Sequence, residues 1–225
     1  MLLRSAASWQ DWDLADAVWR RLPSAMGSNT AVIGDYVNRL LNAGQGLTAA
    51  RVWGKAAVNF APGSISNGGF ARLLQQRSLF DWRLRIPEGA VIERDTKEFV
   101  SAPAALRLHF DGKQNLRLDS PEQYVAVVPG HSYRLSGMWM ARGLTTRALP
   151  YWQVIGYGPS RHYVQLGRIN AAGNSDWPWQ AFSVVLTIPD EVEVLRIRLR
   201  RDPTGDFDRN IAGDLWLDDV RMSEE

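Results

Sequence analysis

The chain contains no cysteine. That excludes disulfides, zinc-thiolate sites and thiol nucleophiles, and leaves the compartment open. No apolar run approaches the roughly 18 residues of a membrane-spanning helix. The opening, MLLRSAASWQDWD, lacks the apolar stretch of about 7–15 residues that a secretory signal needs. Lysine is scarce: only Lys55, Lys97 and Lys113 are present, so arginine carries most of the 26 cationic charges. Against 24 carboxylates the net charge is only +2, too small a field to argue for nucleic-acid binding. The histidines, His109, His131 and His162, are scattered. HExxH, GxSxG, P-loop and GxGxxG motifs are all missing. Asp202, Asp206 and Asp208 read as a solvated acidic loop, and a glycosidase pair is defined by separation in space, which spacing does not supply. The sequence is therefore read as that of a noncatalytic protein.

Present in plenty are apolar residues (45%) and tryptophan, of which there are ten. A packed core is expected rather than disorder. Residues 1 to about 60 read as helix. Asp11 or Asp13 can cap the first helix, and Asn29 or Thr30 the next, whose Ile33, Val37, Leu40 and Leu41 keep helical spacing. Gly44 and Gly46 interrupt, and Thr48 opens another helix. Ala15, Val18 and Trp19 recur as Ala49, Val52 and Trp53, with the tryptophans 34 residues apart. That is the tetratricopeptide period, in which small alanines let helices approach and an aromatic fills the groove. The alternative is a plain helical hairpin. So few repeats cannot bury their own faces. The helices are expected to dock on the C-terminal domain, or to end a longer array, and they offer a surface for a protein partner.

NFAPGSISNGG (59–69) is a linker, and from residue 64 to 225 the pattern changes to short alternating runs with turn residues between them. The runs are 78–86, 90–94, 105–110, 123–128, 132–141, 152–157, 164–169, 181–188, 193–200 and 214–221. No βαβ alternation is present. The expected fold is mainly β, a sandwich or jelly roll behind a short α-helical segment. Parity assigns faces. Leu106, Leu108 and Phe110 point inward, with Arg107 and His109 outward. Leu195, Ile197 and Leu199 point inward, with Arg196, Arg198 and Arg200 outward. The closing run GDLWLDDV puts Leu215, Leu217 and Val220 in the core and Trp216 on the other face, out of the core or under the docked helices.

In order, NGGF (67–70), DW (81–82), a leucine-rich strand ending in FDG, VxVxPGxxYRLSG (125–137), the Trp179-to-Pro189 strand and LWLDDV (215–220) resemble the jelly-roll carbohydrate-binding modules of the galactose-binding-like kind. The resemblance covers residues 64 to 222. Helices of tetratricopeptide type running into such a domain resemble bacterial proteins associated with exopolysaccharide export. This implies a polysaccharide or oligosaccharide partner and a periplasmic or extracellular bacterial location. It also implies a structural calcium, with Asn67, Asp218 and Asp219 as ligands. Against the calcium, Ala71 stands where the family commonly has Glu; the alternative is one turn-capping aspartate and one solvated ion pair. If the strands bearing Arg107, Arg134, Arg196 and Arg198 are neighbours, they form an arginine-rich groove for an acidic polysaccharide. The alternative is that these arginines pair with Asp and Glu on ordinary outer faces. Trp139, Tyr151, Trp152, Tyr157, Tyr163 and Trp177, in or beside the irregular stretch 142–179, are the candidates for stacking on a pyranose.

Overall fold

A computed structural model describes residues 30–57, 60–171, 173 and 175–225. The first copy of the 34-residue repeat, Ala15 to Trp19, and the capping residues Asp11, Asp13 and Asn29 lie outside the described residues.

Helix α1 (Thr30–Asn42) buries Ile33, Val37, Leu40 and Leu41, which follow the i, i+4, i+7, i+8 stripe of one helix face. It ends where Gly44 takes φ of +78°. There Gln45 N–H donates to the Leu40 carbonyl and Gly44 N–H to the Leu41 carbonyl, the paired bonds of a glycine C-cap. Helix α2 (Gly46–Trp53) comes at once after it and buries Ala49, Ala50, Val52 and Trp53.

Among the described residues nine antiparallel strands follow: β1 (Ala90–Asp95), β2 (Ala105–Asp111), β3 (Leu118–Ala126), β4 (Ser132–Arg142), β5 (Tyr151–Tyr157), β6 (Val164–Asn170), β7 (Trp177–Thr187), β8 (Val194–Arg201) and β9 (Ala212–Glu224). They make a five-stranded sheet, β1-β2-β9-β4-β7, and a four-stranded sheet, β3-β8-β5-β6. The fold is mainly β, a jelly-roll sandwich with the two short helices at one side.

All but one of the alternating runs are strands. The exception is 78–86. There the Asp81 carboxylate accepts the N–H groups of Arg77 and Ser78, so the side chain binds the backbone in a turn instead of leaving it to a sheet. Only Arg83 makes a bridge, to Glu122. Strand β3 begins earlier than its alternation, at Leu118, because a register shift between Asp119 and Glu122, around Pro121, breaks the period.

The inward positions are those that parity assigned, Leu106, Leu108, Phe110, Leu195, Ile197, Leu199, Leu215, Leu217 and Val220. An aromatic chain crosses this core. Phe70 lies 5.5 Å from Trp82, Trp82 6.2 Å from Trp152, and Trp152 5.6 Å from Phe182. The opening NGGF is a turn that meets the closing strand, with Val220 N–H donating to the Gly68 carbonyl at 3.0 Å. Any Cβ at Gly68 would strike the Val220 carbonyl.

A second apolar cluster joins the helices to the sandwich. Leu40, Leu41, Val52 and Trp53 share it with Tyr124, Ala126, Tyr157 and Val194 from the four-stranded sheet. Backbone meets backbone at two glycines: a Cβ on Gly44 would strike Gly158, and one on Gly46 the Glu193 carbonyl. The helices therefore lie over one end of that sheet's outer face. The second repeat copy, Ala49, Val52 and Trp53, is spent in this docking.

Candidate functional site

The strand registers lay out the outer face of the four-stranded sheet in rows. Asp119, Arg200, Tyr151 and Asn170 form the first; Glu122, Arg198, Gln153 and Arg168 the second; Tyr124, Arg196, Ile155 and Gln165 the third. Ala126, Val194 and Tyr157 form the last, and this is the row beneath the helices. The Tyr157 hydroxyl donates to the Leu41 carbonyl at 3.0 Å, and burial pushes its pKa well up. The face is thus apolar and covered at one end, polar at the other.

The polar end is tied together before any ligand arrives. Arg198 is buried, and burial pushes its pKa down. Its Nε and Nη2 donate to Gln153 Oε1 at 2.9 and 2.8 Å, and its Nη1 sits 3.0 Å from Asp119. Arg196 Nε donates to Glu122 at 2.7 Å, and Gln153 Nε2 to Gln165 Oε1 at 3.0 Å. Arg200 and the Tyr151 hydroxyl both donate to Asp202 at 2.6 Å. The Arg200 hydrogen bond is the main reason the Asp202 carboxyl is held down at about 2. Burial, and then its own hydrogen bond to Asp202, push the Tyr151 hydroxyl up.

At this end a cleft of about 230 Å³ opens among Arg147, Pro150, Tyr151, Arg168, Asn170 and Asp202. The Arg168 guanidinium lies 3.7 Å from the Tyr151 ring centroid, and its Nε donates to Asn170 at 2.8 Å. Among the described residues Arg147 and Arg168 have no carboxylate partner, and both are exposed. The loops around the cleft hang on one fully buried guanidinium. Arg201 donates to the carbonyls of Ala148, Leu116 and Arg209 at 2.9, 2.6 and 2.6 Å. Arg147 N–H is fixed by Asp208 at 2.7 Å.

The expected aromatic platform is not assembled. Trp139, Trp152 and Trp177 are buried in the sandwich core, because their strand parity points inward. Tyr157 is under the helices. Tyr151 reaches the cleft but is covered by Arg168, and Tyr163 alone of the six is exposed, 5.0 Å from the Tyr157 ring. The four expected arginines do not share a groove either, since β2 and β4 belong to one sheet and β8 to the other. Arg196 and Arg198 stand on the face just described. Arg107 and Arg134 stand on the opposite side of the molecule, paired with Asp214 and Glu225. Sequence reasoning missed Arg147, Arg168, Asn170, Gln153 and Asp202. The alternation of Arg168 with Ile169 and of Tyr151 and Gln153 with Trp152 carried the signal for the strand residues.

The residues at the chain's seam do not fit calcium. Asp218 is fully buried, and its carboxylate accepts the N–H groups of Val100, Ser101 and Asp219 and the Ser101 hydroxyl at 2.6–2.7 Å. Calcium needs about six to eight oxygen ligands, and these oxygens already face hydrogen-bond donors. Asn67 closes its own turn through the backbone of Arg72, Asp219 pairs with Arg221, and Arg94 donates to the Phe70 and Ala71 carbonyls. Trp216 is buried outside the core. Arg107 and Arg142 lie 5.7 and 5.3 Å from its ring, and its Nε1 donates to Asp95 at 2.8 Å.

No protein-family model matches the chain, and no curated protein matches it by sequence. Similar solved structures exist. A family 16 carbohydrate-binding module is 18% identical, with a TM-score of 0.50 over 71% of this chain and 99% of its own. A family 4 module (CBM4) is 18% identical, with a TM-score of 0.49 over 72% of this chain and 99% of its own. A family 22 xylan-binding domain from Paenibacillus barcinonensis is 14% identical, with a TM-score of 0.46 over 74% and 97%. What the first of these establishes is the shared sandwich fold.

Proposed function

We propose that this protein is a noncatalytic carbohydrate-binding module, and that the polar end of the four-stranded sheet's outer face takes an acidic polysaccharide or oligosaccharide. One observation carries the reading: Arg147 and Arg168, which face the cleft, pair with no carboxylate among the described residues, over a floor of mutually bonded side chains. Guanidinium groups pair in two-point fashion with carboxylate or sulfate, and a floor already ordered loses little entropy on binding. The floor carboxylates are committed. Asp119 is held by Arg198, Glu122 by Arg196, and Asp202 by Arg200 and Tyr151. Asp202 is held ionised, the reverse of what a general acid needs. The resemblance to carbohydrate-binding sandwiches supports the reading, and such a ligand implies a periplasmic or extracellular setting.

A second reading has its own observation. The helices cover the Ala126, Val194 and Tyr157 row, as a scaffold module capping a tetratricopeptide array would have them do. A glycan array separates the two. Polygalacturonate or alginate should bind, and the double substitution Arg147→Ala and Arg168→Ala should weaken it by roughly ten-fold or more. Silence across acidic and neutral glycans, with capture of a protein through the helices, would transfer the conclusion to the scaffold.

A further inference from the structure

The opposite sheet carries a second opening that the acidic-ligand reading does not use. On the outer face of the five-stranded sheet, at its β7 edge, a cleft of about 470 Å³ is lined by Trp179, Pro178, Met140, Arg142, Glu98 and Asp176. A break in strand parity sets the floor. Phe182 turns inward by alternation, and the register shift between β4 and β7 at Trp139 and Ala141 turns Trp177 inward as well, which leaves Trp179 outside, partly buried against Met140 and Trp216. Pro178 beside it is exposed. The polar rim is held in place. Arg142 rests over the Trp216 ring at 5.3 Å and pairs with Glu98 at 2.8 Å. Asp176 uses one oxygen, Oδ1, to accept the Gly143 N–H at 2.7 Å, and its Oδ2 makes no hydrogen bond among the described residues.

The chemistry of this cleft differs from that of the other face. One guanidinium stands against two carboxylates, so an anionic sugar would be repelled. A partly open indole, flanked by a proline and a thioether, suits the apolar C–H face of a pyranose. A fixed guanidinium and two carboxylates at the rim supply the donor and the acceptors that sugar hydroxyls need. We propose that this cleft is a second carbohydrate site, for a neutral sugar residue stacked on Trp179. Because it opens on the sheet opposite the arginine cleft, the molecule then bridges an acidic chain and a neutral one. The bridging rests on the acidic-ligand reading; the Trp179 site does not.

Isothermal titration of the whole chain with maltose, cellobiose and β-1,4-galactobiose tests it. At least one disaccharide should bind. Trp179→Ala and, separately, Arg142→Gln should weaken it by roughly ten-fold, while Arg147→Ala with Arg168→Ala leaves it unchanged. Thermal unfolding of each variant checks that the sandwich is intact, and Trp179→Phe, which keeps a ring, should retain part of the affinity. Binding of none of the three overturns the site. So does binding that survives both Trp179→Ala and Arg142→Gln, or that is lost with the arginine pair, which would leave the acidic-ligand face standing alone. For the bridging, beads carrying the polymer of the bound disaccharide should retain polygalacturonate only when the protein is present. If polygalacturonate (or alginate, where that is the one bound) binds the protein but is not retained, bridging fails; if neither binds, the first reading fails and the Trp179 site stands.

Discussion

Asp202 accepts from Arg200 and from Tyr151 at the mouth of the arginine cleft, and its carboxyl is held near 2 against an ordinary value of about 4. A depressed carboxyl stabilises the folded state above its unfolded pKa, and that contribution is lost as pH falls through the folded value. Thermal stability should therefore be flat in this respect above about pH 4 and fall between about 4 and 2. Asp202→Asn should flatten that segment of the pH–melting curve; an unchanged slope would show that the pairing adds nothing. Two buried residues give larger effects. Trp152 is fully buried between Trp82 and Phe182, so Trp152→Ala should cost about 3–5 kcal/mol in urea unfolding. Loss of sugar binding in that variant would report unfolding and not a lost contact. Asp218→Ala leaves the Val100 and Ser101 N–H groups without their acceptor, at about 1–3 kcal/mol each if they stay dry.

At the scale of elements, the seam between the NGGF turn and β9 closes the sandwich. Hydrogen bonds and steric fit hold it: the Gly68–Val220 bond, the Asp218 donors and Arg94 on the Phe70 and Ala71 carbonyls. With those oxygens engaged, the melting temperature should be the same in excess calcium and in EDTA. A rise in calcium that Asp218→Asn removes would restore the metal site. Gly68→Ala forces a methyl against the Val220 carbonyl and should cost about 1–3 kcal/mol or more, read from the urea midpoint. The helical hairpin is docked by the same kind of approach at Gly44 and Gly46. Strand positions were legible from parity because a two-residue period leaves no choice of face once one side is buried. The 78–86 segment was not, because Asp81 competes for the backbone and alternation alone does not register that competition.

Over the whole molecule, a net charge of +2 conceals an uneven distribution. Among the described residues half of the arginines pair with a carboxylate, and Arg147 and Arg168, which meet at the cleft, are among those that do not. Binding of polygalacturonate should therefore weaken steadily with added salt, because exposed ion pairs are screened within about 3 Å at 1 M. Affinity that does not change with salt would point to stacking and hydroxyl contacts instead. The helices and the sandwich share one apolar cluster, so heat or urea should melt them in a single transition seen equally by helix and tryptophan signals.

Sequence alone determined the class of fold, the positions of most strands and which leucines face inward, because burial and the two-residue period act locally along the chain. It also drew attention to Trp216 without naming its partners, which turned out to be two arginines and Asp95. Only the tertiary structure decided which outer faces share a sheet. That choice separated Arg107 and Arg134 from Arg196 and Arg198, sent Trp139 and Trp152 into the core, and brought Arg147 and Arg168 from different loops and strands to one cleft. Strand order is set by long-range pairing and sheet packing, and nothing in the local alternation of a strand records which neighbour it will take.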